Sequence, residues 1–190
     1  MPAAVRLPIR LATLVAVLAL SMGAAGCGNK KSVQHFGDTE GTYLDVGNLK
    51  YQVQISRQLN PADNEDRAYL QGLSPAERVL HPDEAWFAIF VLVQNNHGNA
   101  LPATDTFVVS DAEENKYTPV PLDQTNQYAY RGGKIPGHGQ LPRLDTPAQI
   151  NYSIGGQLLL FKVKYRSFDN RPMELTIRQG AETARIDLDV

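Results

Sequence analysis

The hydrophobic pattern of this chain changes twice. A continuous apolar run, "LATLVAVLALSM", occupies Leu11 to Met22. A polar, glycine-rich stretch, "GNKKSVQHFGDTEG", follows from Gly28 to Gly41. From Tyr43 onward the period becomes two. In "NLKYQVQIS", Leu49, Tyr51, Val53 and Ile55 fall on one face, and Lys50, Gln52, Gln54 and Ser56 on the other. This alternation predicts a half-buried antiparallel strand. "AWFAIFVLVQNN" (Ala85 to Asn96) is instead apolar on both faces, with Trp86, Ala88, Phe90 and Leu92 on one side and Phe87, Ile89, Val91 and Val93 on the other. A strand of this kind belongs in the centre of a sheet and needs cover on both sides.

"TFVVSD" (Thr106–Asp111) and "KYTPVPL" (Lys116–Leu122) flank the acidic turn "AEEN" and predict a hairpin. Pro119 and Pro121 push its second member to an edge. Leu159, Phe161, Val163 and Tyr165 share a face in "GGQLLLFKVKY". "RPMELTIRQ" and "TARIDLDV" are joined through "QGAE" as a second hairpin, with Leu175, Ile177, Ala184, Ile186, Leu188 and Val190 inward. Short strands at regular spacing indicate an all-β fold, an immunoglobulin-like antiparallel β-sandwich.

Two long segments interrupt the strands. In Arg57 to Glu84, Asn60 reads as an N-cap, Pro61 as the first helical residue, and Asp63, Glu65 and Asp66 as acids at the positive end of the dipole. Gly72 closes this short helix, placed near residues 61–71. Its Tyr69, Leu70 and Leu73 are positioned to cover the outer face of the Trp86–Val93 strand. The second segment, Asp123 to Gln149, reads as a loop without elements of its own, a length usual for functional or mobile loops.

The first 26 residues read as an export signal. Arg6 and Arg10 make a positive start, the apolar run is too short to span a ~30 Å hydrocarbon core, and small residues follow. Cys27 is the single cysteine of the 190 residues. "AAGC" (Ala24–Cys27) resembles a bacterial lipobox, with Ala24 standing where leucine is favoured. In that reading Cys27 becomes the first mature residue and carries a diacylglyceryl group whose acyl chains anchor the protein in the membrane. Cleavage after Ala25, leaving a free thiol, is the alternative. A lone thiol has no disulfide partner in an oxidising compartment, whereas a lipid attachment point gives it a use. Residues 27–41 then form a flexible tether, and 42–190 the sandwich domain.

With Arg6 and Arg10 in the leader, 16 Lys+Arg face 20 Asp+Glu from Cys27 onward. That balance gives no footprint for nucleic acid. His35, His81, His97 and His138 lie in separate segments, and with Cys27 committed no blue-copper set remains. No metal or other cofactor is called for. "DNED" (Asp63–Asp66) lacks the spacing of an EF-hand loop. His138 in "PGHG" is the one candidate general base, which with carboxylates of the long segments would make an envelope hydrolase or a metal-handling enzyme. In "YAYRGGK", Tyr128, Tyr130, Arg131 and Lys134 are residue types enriched in binding hot spots. They serve either as a contact surface or as packing of the loop onto the sandwich.

Three stretches, Trp86–Val120, Gly155–Val163 and Met173–Val190, carry a resemblance. The shared pattern is a long apolar strand ending in Asn-Asn, a Phe-Val-Val-x-Asp-type strand with its acidic hairpin, a Gly-rich entry into Leu-Leu-Phe-x-Val, and a closing hairpin. It resembles a domain-of-unknown-function group of Ig-like lipoproteins with a telokin-like fold, akin to the immunoprotective extracellular antigen of mycobacteria. The resemblance implies a sandwich of about seven to nine strands, exported and often lipid-anchored, with no catalytic residues to carry over. The expectation is therefore a lipoprotein on the extracytoplasmic side of a bacterial membrane. Its domain acts as a binding or envelope-assembly module with a protein partner in the envelope, and is not an enzyme. A structural spacer without ligand is the third alternative.

Overall fold

In the computed structural model, residues 33–150 and 154–190 are described. Cys27 and the leader lie outside the described residues. Among the described residues there are twelve strands, ten of them in the two sheets of the expected all-β sandwich. One sheet runs β1(Phe36–Gly37), β12(Glu182–Leu188), β11(Met173–Gln179), β6(Thr106–Ser110), β7(Lys116–Tyr117). The facing sheet runs β10(Gln157–Lys164), β4(Glu84–Gln94), β3(Leu49–Gln58), β2(Tyr43–Val46), with β9(Gln140–Leu141) also paired to β4. A two-stranded ribbon joins β5(Leu101–Ala103) to β8(Gly133–Ile135).

The two faces of β4 explain its sequence. Phe87, Ile89, Val91 and Val93 enter the core between the sheets, meeting Leu159, Phe161, Leu175, Ile177 and Ile186. Trp86, Ala88 and Phe90 enter a second apolar cluster on the outer side of the same sheet, with Leu59, Tyr69, Leu73 and Tyr128. The cover comes from α1(Asn64–Tyr69) and from residues 126–130.

Within β3 the alternation slips. Val53 pairs with Val91 and Ile55 with Phe90, leaving Gln54 as an extra residue. This bulge moves Ile55 from the expected inner face to the outer cluster. The β2–β3 turn holds Gly47 and Asn48 at φ 60 and 63°, the double positive φ that suits a two-residue hairpin. A Cβ at Gly47 would also stand 2.1 Å from the Gln179 side chain. Lys164 ends β10, so Tyr165 opens a 3-10 turn (Tyr165–Phe168) and is exposed rather than inward.

Residues 34–41, expected as part of the tether, lie against the sandwich. Phe36 and Gly37 pair in parallel with Arg185 and Ile186, and Gln34 accepts from the Asp45 N–H at 2.7 Å. Glu40 receives the Ser56 N–H at 3.1 Å, and the Gly41 N–H donates to the Val53 carbonyl at the bulge, at 2.8 Å. Residues 34–41 thus belong to the compact unit Val33–Val190. Their polar composition reflects a short strip lying along the sandwich, where only Gly37 is buried among them.

The Asp123–Gln149 segment is likewise not structureless. It contains β8, β9 and α2(Pro147–Ile150). Strands of two or three residues carry no readable period, and side-chain hydrogen bonds replace ladder pairing. The 129–131 stretch lies along β10: Leu158 N–H donates to Tyr128, and Tyr130 N–H donates to Leu158, both at 2.8 Å. Val120 donates to Leu160 at 2.7 Å. The outer edge of β10 is therefore occupied rather than left open.

Candidate functional site

Tyr128, Tyr130 and Arg131 do not form one exposed patch. Tyr128 is buried in the outer cluster, its ring 5.0 Å from that of Tyr69. Tyr130 turns to the inner core, 5.1 Å from Phe107 and edge-on to it. Its hydroxyl donates to the Thr104 carbonyl at 2.8 Å. Burial, with the neighbouring Tyr51 and Asp105, holds the Tyr130 phenol above its ordinary pKa. Arg131 lies at the surface and donates to the carbonyls of Leu122 (3.0 Å) and Asp123. Lys134 is exposed on the β5–β8 ribbon. Of the two readings of this loop, packing describes both tyrosines. A small cavity of about 240 Å³ remains beside Tyr130 and Arg131, walled by Asp105, Pro119 and Pro121.

His138 sits exposed in a tight turn at φ 57°, and its N–H donates to His97 at 2.9 Å. The carboxylates of the first long segment are engaged elsewhere. Asp63, not Asn60, is the N-cap: its Oδ1 accepts from Glu65 and Asp66 N–H at 2.8 and 3.2 Å. Asn60 accepts from Ala62 N–H in its own turn, so Pro61 precedes the helix instead of starting it. Asp66 is buried, 2.5 Å from the Arg57 guanidinium, and also accepts from Asn60 N–H at 2.7 Å. Burial opposes the charge on Arg57, but the bond and the charge of Asp66 prevail and raise its pKa. Among the described residues no three His, Cys, Asp or Glu side chains converge as a metal site.

A concave feature lies where the two long segments meet the outer face of β4. Its construction begins with α1. Tyr69 packs edge-on against Phe90, centroids 5.0 Å apart, and donates its hydroxyl to Glu65 at 3.0 Å. Burial and the adjacent Glu65 charge hold this phenol above its ordinary value. Asn126, itself buried, donates to the Tyr69 and Gln71 carbonyls, both at 2.8 Å, and accepts from Tyr128 and Ala129 N–H at 2.9 and 3.0 Å. All four hydrogen-bonding positions of the amide are thus filled. The helix leaves through Gly72 at φ 78°, whose carbonyl accepts from Asp123 N–H at 2.9 Å.

Beyond Gly72 the chain turns back across Trp86. Lys162, on β10, fixes this return: its ammonium donates to the Val79 carbonyl at 2.9 Å, lies 3.4 Å from Glu77, and sits 5.4 Å from the Trp86 ring centroid. The result is a groove of about 420 Å³, within the range of small-molecule sites. Buried Trp86 and Leu73 lie at its base with Leu70 and Leu80; exposed Arg67 and Arg78 border it. The sequence reading placed Tyr69, Leu70 and Leu73 over Trp86 but did not single out the arginines, which look like ordinary surface charges until the chain folds back.

No family model matches the chain, and no curated protein matches it. Among solved structures it is similar to the yjhA protein of Bacillus subtilis, with a TM-score of 0.50 and 10% identity over 80% of this chain and 99% of that one. It is also similar to a protein described as a "putative lipoprotein (ycdA)" of Bacillus subtilis, with a TM-score of 0.48 and 11% identity over 78% of this chain. The chain spans 38% of the length of that second protein. At such identities the likeness to yjhA concerns the fold alone.

Proposed function

We propose that this protein is an exported lipoprotein, anchored through Cys27, whose Ig-like sandwich serves as a binding module on the extracytoplasmic face of a bacterial membrane. The observation that carries the reading is the lone cysteine placed after an apolar run and small residues, directly ahead of a folded unit that begins at Val33. Two acyl chains on Cys27 give stable anchoring where one would not. The resemblance to telokin-like Ig lipoproteins belongs to the same reading. The groove over Trp86 is the surface through which the module binds, rather than the 128–134 loop, whose tyrosines are occupied in packing.

Fractionation tests it. The wild-type chain partitions with membranes, and Cys27→Ser moves it to the soluble extracytoplasmic fraction. Equal partitioning of both would defeat the anchor. A structural spacer would retain its partners in crosslinking experiments when the groove is filled by Leu73→Trp; the binding module loses them.

A further inference from the structure

We infer that the Trp86 groove takes an amphipathic anion, a single apolar chain carrying one carboxylate head. The inference rests on the binding-module reading and names the ligand class for that site. Four apolar side chains, Leu70, Leu73, Leu80 and Trp86, supply a surface for a hydrocarbon tail. The two charged residues lining the groove are both arginines, Arg67 and Arg78, and no carboxylate lines it.

Neither arginine pairs with an acid among the described residues. Arg67 donates to the Asn64 side chain, and Arg78 to the Leu73 carbonyl at 3.3 Å. The nearby Glu77 is instead held by Lys162. Guanidinium groups leave most of their five donors free after one bond, and their fork matches a carboxylate. Trp86, only 3% exposed, offers its ring as part of the apolar base of the groove. The apolar base and the two arginines, with no carboxylate beside them, select an anion with a tail over a cation or a neutral sugar.

Trp86 is the only tryptophan in the chain, so its fluorescence reports this groove alone. The full chain carrying Cys27→Ser, handled without detergent, is titrated with monomeric dodecanoate and, separately, with dodecyltrimethylammonium and with phosphatidylglycerol vesicles. Dodecanoate is expected to give a saturable change in emission. Arg67→Gln and Arg78→Gln should each weaken it about tenfold, the loss of one charge-assisted bond, with Arg78→Lys recovering part of the loss and thermal unfolding unchanged. Equal response to the cationic amphiphile would overturn the anion assignment while leaving a binding groove in place. A response to vesicles alone would make the face a membrane contact and overturn it too. No response to any of the three would remove the groove from the binding-module reading altogether, without touching the Cys27 anchor.

Discussion

The side-chain amide of Asn126 donates to the backbone carbonyl of Tyr69 at 2.8 Å, joining two segments that the chain keeps far apart. That bond, with its companion to Gln71, makes the α1 cover and the 126–130 stretch one unit over β4. Replacing Asn126 by Ala leaves buried carbonyls and N–H groups without partners and is expected to cost about 3 kcal/mol. Asn126→Asp should be at least as damaging, because a carboxylate presents oxygens to two carbonyls. Chemical denaturation measures both.

Asp66 and Arg57 hold the other end of the same cover. Asp66→Ala strands the guanidinium and the Asn60 N–H, for an expected loss of about 3 kcal/mol. Asp66→Asn, which keeps an acceptor, should lose less than half of that. If the two variants unfold at the same denaturant concentration, the charge contributes nothing.

Asp111 gives the domain an acid-sensitive point. Burial works against its charge, yet bonds from Ser167 (2.6 Å), from the Asn115 side chain (2.8 Å) and from the Asn115 N–H (3.0 Å) outweigh it and hold the carboxyl below its ordinary 3.8. A depressed folded pKa contributes stability that is present above the unfolded value and lost as pH falls through the folded one. Wild-type stability should therefore drop below about pH 4, and Asp111→Asn, weaker at neutral pH, should show a shallower acid limb.

Tyr51 gives the opposite sign. Its buried hydroxyl accepts the Thr104 N–H at 2.9 Å, and burial pushes the phenol up to about 12 from 10.0. A raised folded pKa contributes stability that is complete below pH 10.0 and lost as pH rises through about 12. Tyr51→Phe leaves the Thr104 N–H unpaired, costs about 1–3 kcal/mol at neutral pH, and flattens the alkaline limb of the stability curve.

How much of this was legible in the sequence differs by element. The two-faced apolar run of β4 announced a central strand needing outer cover, and Tyr69 and Leu73 do cover it. The closing hairpin was equally plain, since alternation and a glycine turn agree there. Ile55 was misplaced because one bulged residue, Gln54, reverses every later position in a period of two. The cap moved from Asn60 to Asp63 because both residue types cap helices and Pro61 favours a helix start; the decisive bonds come from Asp63. Asn126 carries no signal at all in the sequence, where a buried asparagine with four bonds looks like any loop residue. The groove was half visible: its apolar base lay in the predicted cover, while Arg67 and Arg78 meet only because Lys162 draws the 77–79 stretch back over Trp86.

The central claim, an anchor at Cys27, is most directly tested by mass spectrometry of the mature chain extracted from membranes. The account predicts an N-terminus that begins at Cys27 and a mass raised by a diacylglyceryl group. A mature chain starting elsewhere, or an unmodified Cys27, would contradict it.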